Sequence, residues 1–163
     1  MWNEINKQSE FLFEQCKKRN ITITCAESCT GGMIASSIVA INGSSNIFNS
    51  SIVTYSNSMK SKLLKIPATI IEKNGAVSEI TAYHMALNVL SIMGADISIA
   101  VTGIAGPTGG SVDKPVGLIW IAIGTKQKVF KEKFLLNGNR LEIRQKTTLE
   151  GLKLANNIIT DYL

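Results

Sequence analysis

The chain has 163 residues, 45% hydrophobic, 18% charged and 6% aromatic, with 17 Lys and Arg against 12 Asp and Glu for a formal net charge of +5. That apolar content sustains one self-sufficient domain spanning residues 1–163, and three cysteines without framework spacing exclude a disulfide-built scaffold and point to a reducing, cytoplasmic setting. No basic segment followed by an apolar run opens the chain, and its longest charge-free stretch, Ser28 to Met59, is broken throughout by Ser, Asn and Gly, so neither a signal peptide nor a membrane span is expected.

In chain order, Trp2, Ile5, Leu12 and Cys16 recur at helical spacing and predict an amphipathic helix over 2–19. Ile21 to Cys25 alternates with β-branched residues, as does Ser51 to Tyr55, and both are expected as strands. Between them Thr30-Gly31-Gly32 opens a short helix from Met33 to Ala40, and a further helical run follows Tyr55 through Leu63 and Leu64. Residues 79–93 are apolar nearly all round, so this helix is expected to be largely buried, together with the sole histidine, His84. Ile97 to Val101 is a nearly continuous apolar run, expected as a strand buried on both faces. Leu118 to Ile123 and Val129 to Leu135 form a hairpin about Gly124 to Lys128, and a long helix capped by Asn139 closes the domain. The class is α/β, a mixed five-stranded sheet with helices on both faces.

Three segments rich in Gly, Ser and Thr follow predicted strands: Ala26 to Gly32, Thr54 to Lys60, and Thr102 to Gly110. In open α/β sheets this is the ligand-binding edge. Ser28 on a tight strand-to-helix turn has the geometry of a nucleophile elbow, with the N–H groups of Cys29, Thr30 and Gly31 as oxyanion donors, although an N-cap accounts for the same pattern. His84 lies inside a core helix, which argues against a Ser-His-Asp triad and leaves lysine or tyrosine as the base. Lys60 is a base if desolvated and an ordinary solvated helix residue beside Lys62 and Lys65 if not, and Tyr55 is most simply a strand aromatic with its hydroxyl at the rim.

The Thr102 to Gly110 loop has neither the Walker A ending nor the dinucleotide spacing, and is a cradle for phosphate or ribose or else a plain irregular loop. Arg140 and Arg144 stand at a helix start where the macrodipole disfavours cations, which either an anionic ligand or a simple offset by Glu142 would explain. A sequence pI near 9.2 agrees with a phosphate-bearing ligand. Cys25, Cys29 and one distant histidine do not make a zinc site, while Cys29 is itself a conceivable thiolate. Lysines 126, 128, 131 and 133 have few aromatics nearby and fit a solvated hairpin face better than a nucleic-acid track.

Taken together, Ala26 to Gly32, Gly43 to Ser45, Tyr55 to Asn57 with Lys60, Gly75 to Ser78, Thr102 to Pro107 and Lys114 to Gly117 resemble, in order, the motifs of the C-terminal domain family of the competence/damage-inducible protein CinA. The resemblance runs from about residue 5 to the C-terminus. It implies a three-layer α/β/α fold and hydrolysis of the carboxamide of nicotinamide mononucleotide to nicotinate mononucleotide and ammonia. It implies a serine nucleophile assisted by lysine and tyrosine at Ser28, Lys60 and Tyr55. Thr102, Gly103, Ala105, Gly106 and Arg140 are the candidates for ribose and phosphate contacts. Neither a metal nor a cofactor is required, because the pyridinium already withdraws electrons from the amide.

Family members tend to be homodimers, with the exposed apolar positions of the terminal helices as the contact expected here; membrane and nucleic-acid partners are not expected. Many members carry this domain behind a larger N-terminal one, whose activity is expected to be missing here. Thr108 to Ser111 departs from the family pattern after the Gly-Pro pair. Some relatives are known mainly through competence and DNA damage, so the alternative reading is a catalytically silent nucleotide-binding or protein-interaction domain. Retention of Ser28, Tyr55 and Lys60 together favours the enzyme.

Overall fold

A computed structural model describes residues 1–163. The sheet is five-stranded and mixed, with β1 (Ile23–Glu27), β2 (Phe48–Val53), β3 (Ile97–Gly103), β4 (Leu118–Thr125) and β5 (Val129–Leu135) in the spatial order β2-β1-β3-β4-β5. β1 runs parallel to β2 and β3, and β4 is antiparallel to both β3 and β5, as the hairpin requires. One face is covered by α1 (Trp2–Arg19), α2 (Met33–Val39) and α6 (Arg140–Tyr162), the other by α3 (Asn57–Leu64), α4 (Ala68–Asn74) and α5 (Glu79–Met93). This is the expected three-layer α/β/α arrangement.

The alternation along β3 builds the two cores. Ile97, Ile99 and Val101 join Leu12, Ile34 and Leu152 of the first helical layer, while Ala100 faces Ala82, Met85 and Ala86 of α5. Small residues on that second face let α5 lie close to the sheet. A methyl on Gly124 would stand 2.5 Å from Ser98 Oγ and 3.2 Å from the Ala86 carbonyl oxygen. α5 is therefore only half buried: its far side leaves Ile80 44% exposed, with Leu87 and Ile92 similar, and His84 is intermediate. An all-round apolar sequence is not matched by all-round burial because one helix in an outer layer has only one sheet to cover.

Four of the five strand spans shift from expectation, β3 running on to Gly103 and β4 to Thr125 because their antiparallel ladder pairs Gly103 with Ile119 and Ile97 with Thr125. β1 starts at Ile23 and not Ile21, because Asn20 ends α1 in the left-handed conformation and the Thr22 N–H and hydroxyl both donate to the Asp96 carboxylate. β2 begins earlier, at Phe48, and ends at Val53, so Tyr55 lies beyond the strand. The 3-10 turn Ser44–Asn46 and the seven-residue α4 were too short to show periodicity. Asn139 caps α6 through a full capping box with Glu142.

Candidate active site

β1 delivers Ser28 to the edge of the sheet, where the Ser28 N–H still donates 3.1 Å to the Val101 carbonyl of β3. The chain then turns through Gly31 (φ 61°) and Gly32 (φ 94°), a conformation that favours glycine. The inside of this turn is filled by Glu27, a fully buried carboxylate without a basic partner. It accepts from Thr30 Oγ1 (2.6 Å) and from the N–H groups of Gly32 (3.0 Å), Ile34 (3.1 Å) and Ala35 (2.8 Å). A carboxylate thus occupies the α2 N-terminus, where unpaired N–H groups and the helix dipole favour negative charge.

Across from the turn, Ser56 caps α3 by accepting from the Met59 N–H. One turn in, Lys60 and Leu64 point at the core while Lys62 and Lys65 stay outside. Lys60 is 1% exposed; its Nζ is 3.0 Å from Ser28 Oγ and donates 2.9 Å to the Thr54 carbonyl. No carboxylate pairs with it. Burial pulls its pKa below the ordinary lysine value, opposed only by the neighbouring Cys29 sulfur. Ser28 is 8% exposed, its hydroxyl reached from a cavity.

That cavity encloses about 320 Å³. Ser28, Cys29 and Lys60 form its floor, Thr102 to Gly106 one wall, and Tyr55 and Arg140 the rim. Tyr55 is 65% exposed, and its hydroxyl accepts from Arg140 Nη2 (2.6 Å) and bonds neither Ser28 nor Lys60. Arg140 Nη1 donates 2.7 Å to the Gly106 carbonyl, so one guanidinium joins the turn after β2 to the loop after β3. The structure brings Ser28, Cys29, Tyr55, Lys60, Thr102, Gly103, Ala105, Gly106 and Arg140 to the same cavity.

Thr30 and Gly31 stand behind the cavity and not on its wall. The Thr30 side chain is spent on Glu27, and the Gly31 N–H donates 3.1 Å to the Ser28 carbonyl. Among the turn amides this leaves those of Cys29 and Thr30, which lie beside the Cys29 sulfur and reach no carbonyl. Arg144 does not line the cavity: it donates 2.7 Å to the Thr30 carbonyl and braces the turn from behind. Burial pushes the Cys29 thiol up to about 12 despite the nearby amides and Lys60, which weighs against the thiolate reading.

Side chains beyond the predicted set complete the walls. Asn57, Ala76, Val77, Thr108 and Gly109 line the cavity, and Thr102 Oγ1 ties down the Ala76 carbonyl at 2.8 Å. Asn57, Ala76 and Val77 fall within the Tyr-Ser-Asn and Gly-Ala-Val-Ser segments that stand out in the sequence, but nothing in their spacing assigns them to one cavity. His84 lies outside it, edge-on to Tyr83. The hairpin lysines are engaged within the chain: Lys126 with Asp96, Lys131 with Glu79 at 2.7 Å, Lys128 over Phe130, and Lys133 over Trp120. No three His, Cys, Asp or Glu residues gather into a metal-binding group, and no helix is long and apolar enough to cross a membrane.

Comparison with known proteins adds three findings. The sequence profile of the CinA C-terminal domain matches residues 5–159. CinA-like proteins of Prochlorococcus marinus (strain MIT 9215) and Colwellia psychrerythraea are 49% identical over 136 residues and 43% identical over 146, covering 82% and 90% of this chain. The chain spans only 32% and 34% of those relatives, about a third of their length. Among solved structures, the competence/damage inducible protein CihA from Agrobacterium tumefaciens superposes with a TM-score of 0.91 at 35% identity over 94% of this chain and 96% of that one. The competence damage-inducible protein A from Klebsiella pneumoniae gives 0.95 at 27% identity, over 98% and 99%.

Proposed function

The chain belongs to the CinA C-terminal domain family, and on that premise we propose that it is an amidohydrolase that cleaves the carboxamide of nicotinamide mononucleotide. The observation that carries the reading is the buried pair: Lys60 Nζ at 3.0 Å from Ser28 Oγ, with no carboxylate to keep the lysine charged. A serine hydroxyl is a poor nucleophile without a base in hydrogen-bond reach, and a desolvated amine is such a base. A lysine buried for structure alone would be a cost without a return.

The chemistry follows from that geometry. With Lys60 neutral, Ser28 donates its proton to Nζ as Oγ attacks the amide carbon. The oxyanion of the tetrahedral intermediate is met by the Cys29 N–H, the amide after the nucleophile. Lys60 returns the proton to the leaving nitrogen, the C–N bond breaks, and ammonia departs from an ester on Ser28. Water then attacks the ester carbonyl, giving its proton to Lys60, which passes it to Ser28 Oγ as the acid leaves. The electron-poor pyridinium of the substrate makes its amide carbon receptive to both attacks.

Arg140 and the Thr102 to Gly106 loop are assigned to the ribose and phosphate. Arg140 spends two of its five N–H donors on Gly106 and Tyr55 and keeps the rest for an anion. Because Arg140 donates to the Tyr55 oxygen, the tyrosine O–H is free to donate to substrate, a role at the rim in place of the proton acceptor. The engagement of the hairpin lysines within the chain weighs against a nucleic-acid-binding reading. The test is release of ammonia and nicotinate mononucleotide, one to one, by the purified protein without added metal. Activity in wild type and none in Ser28→Ala is expected; equal release by both, or none by the folded wild type, overturns the proposal.

A further inference from the structure

We propose that Glu27 is a positioning residue for catalysis: its buried carboxylate fixes the turn that holds Ser28 at Lys60. The inference rests on the Ser28–Lys60 reading and deepens it. Glu27 immediately precedes the nucleophile, is fully buried, and faces no lysine or arginine. A buried carboxylate in that state is costly unless its lone pairs are filled. Here both oxygens are filled by donors from one short stretch, Thr30 to Ala35, at 2.6 to 3.1 Å.

Two consequences bear on the chemistry. First, Glu27 takes up the N–H groups of Gly32, Ile34 and Ala35 at the start of α2. A substrate phosphate therefore meets a neutralised helix end at that position, and the oxyanion donor is sought in the turn beside Ser28. Second, the Glu27 carbonyl accepts 2.8 Å from the Thr54 N–H, and the Thr54 carbonyl accepts from Lys60. One residue thus fixes the serine through its side chain and, through its main chain, the segment after β2 that carries the lysine's acceptor. A misplacement of about 1 Å at a reacting group costs on the order of 100-fold in rate.

Glu27→Gln is the test, since glutamine keeps the volume but turns an NH₂ toward N–H donors. The expected result, at a temperature where circular dichroism shows the variant folded, is a kcat for ammonia release lowered about 10- to 100-fold. Nicotinamide mononucleotide should bind Ser28→Ala/Glu27→Gln within about twofold of Ser28→Ala by calorimetry, a split that plain loss of folded protein would not give. A crystal structure of Glu27→Gln should show Ser28 Oγ and Lys60 Nζ moved out of hydrogen-bond distance. Retention of that contact in the crystal, or an unchanged kcat, overturns the proposal. The crystallographic arm decides it even if the wild type proves inactive on this substrate, which would refute the function and not the positioning. Should Glu27→Gln fail to fold, Thr30→Val removes the 2.6 Å bond alone and is expected to lower kcat severalfold in the same direction; an unchanged kcat there overturns it equally.

Discussion

Replacing Lys60 by methionine separates the chemistry of the buried amine from its packing. Methionine fills the same 1%-exposed slot with an unbranched side chain but neither accepts a proton nor donates to Thr54. No second base stands by: His84 is on the outer layer away from the cavity, and Glu27 is occupied by its four donors. Loss of a general base costs about 10²- to 10⁴-fold, or about 3–5 kcal/mol of transition-state stabilisation at about 1.4 kcal/mol per decade. The assay is steady-state ammonia release beside thermal unfolding from pH 7 to 10.

The unfolding arm has a defined sign. Burial holds the folded Lys60 pKa below its unfolded value, so between the two the unfolded chain carries a proton that the folded chain lacks. Wild-type stability therefore rises with pH across that window, a gain absent below the folded pKa, and Lys60→Met lacks it. The difference in Tm, wild type minus variant, should shift in favour of wild type as pH rises. A kcat for Lys60→Met within tenfold of wild type, or a Tm difference that falls with pH, would refute the reasoning.

Arg140→Ala should weaken binding of nicotinamide mononucleotide by roughly tenfold or more, the loss of a charge-assisted contact of about 1.5–3 kcal/mol. Titration calorimetry against Ser28→Ala checks it, and unchanged affinity would remove Arg140 from the phosphate site. Gly117 has φ +90°, and a methyl there would lie against the Leu136 carbonyl oxygen, which itself receives no slack because Leu136 donates to the Gly117 carbonyl. Gly117→Ala should lose about 2–4 kcal/mol in urea unfolding, from left-handed strain plus overpacking. A loss under about 0.5 kcal/mol, the usual range for a surface change, would contradict that geometry.

Periodicity carries the frame of the molecule because period is what burial on one face imposes on a chain. The nearly continuous apolar run of β3 and the i, i+3, i+4 pattern of α1 and α6 each appear where the layers need them. The hairpin and the Asn139 cap are equally local. What local pattern does not contain is the fate of single polar residues. Lys60 among Lys62 and Lys65 has the composition of a solvated helix; its i, i+4 relation to Leu64 is the one clue that it turns inward. Glu27 offers no clue of that kind, because its partners are mostly backbone amides and amides have no sequence. Gly31 and Arg144 show the converse: each stands in a suggestive place, and each is already committed, to the Ser28 and Thr30 carbonyls.

The central claim is that Ser28 becomes acylated. The direct measurement is to mix the protein with excess nicotinamide mononucleotide, quench in acid at millisecond intervals, and weigh the peptide that contains Ser28. The account predicts a transient mass increase on Ser28 equal to the substrate less ammonia, decaying as substrate is exhausted and absent from Ser28→Ala. Turnover with the adduct on Cys29 instead, or with steady ammonia release and no acylated peptide at any time, would contradict it.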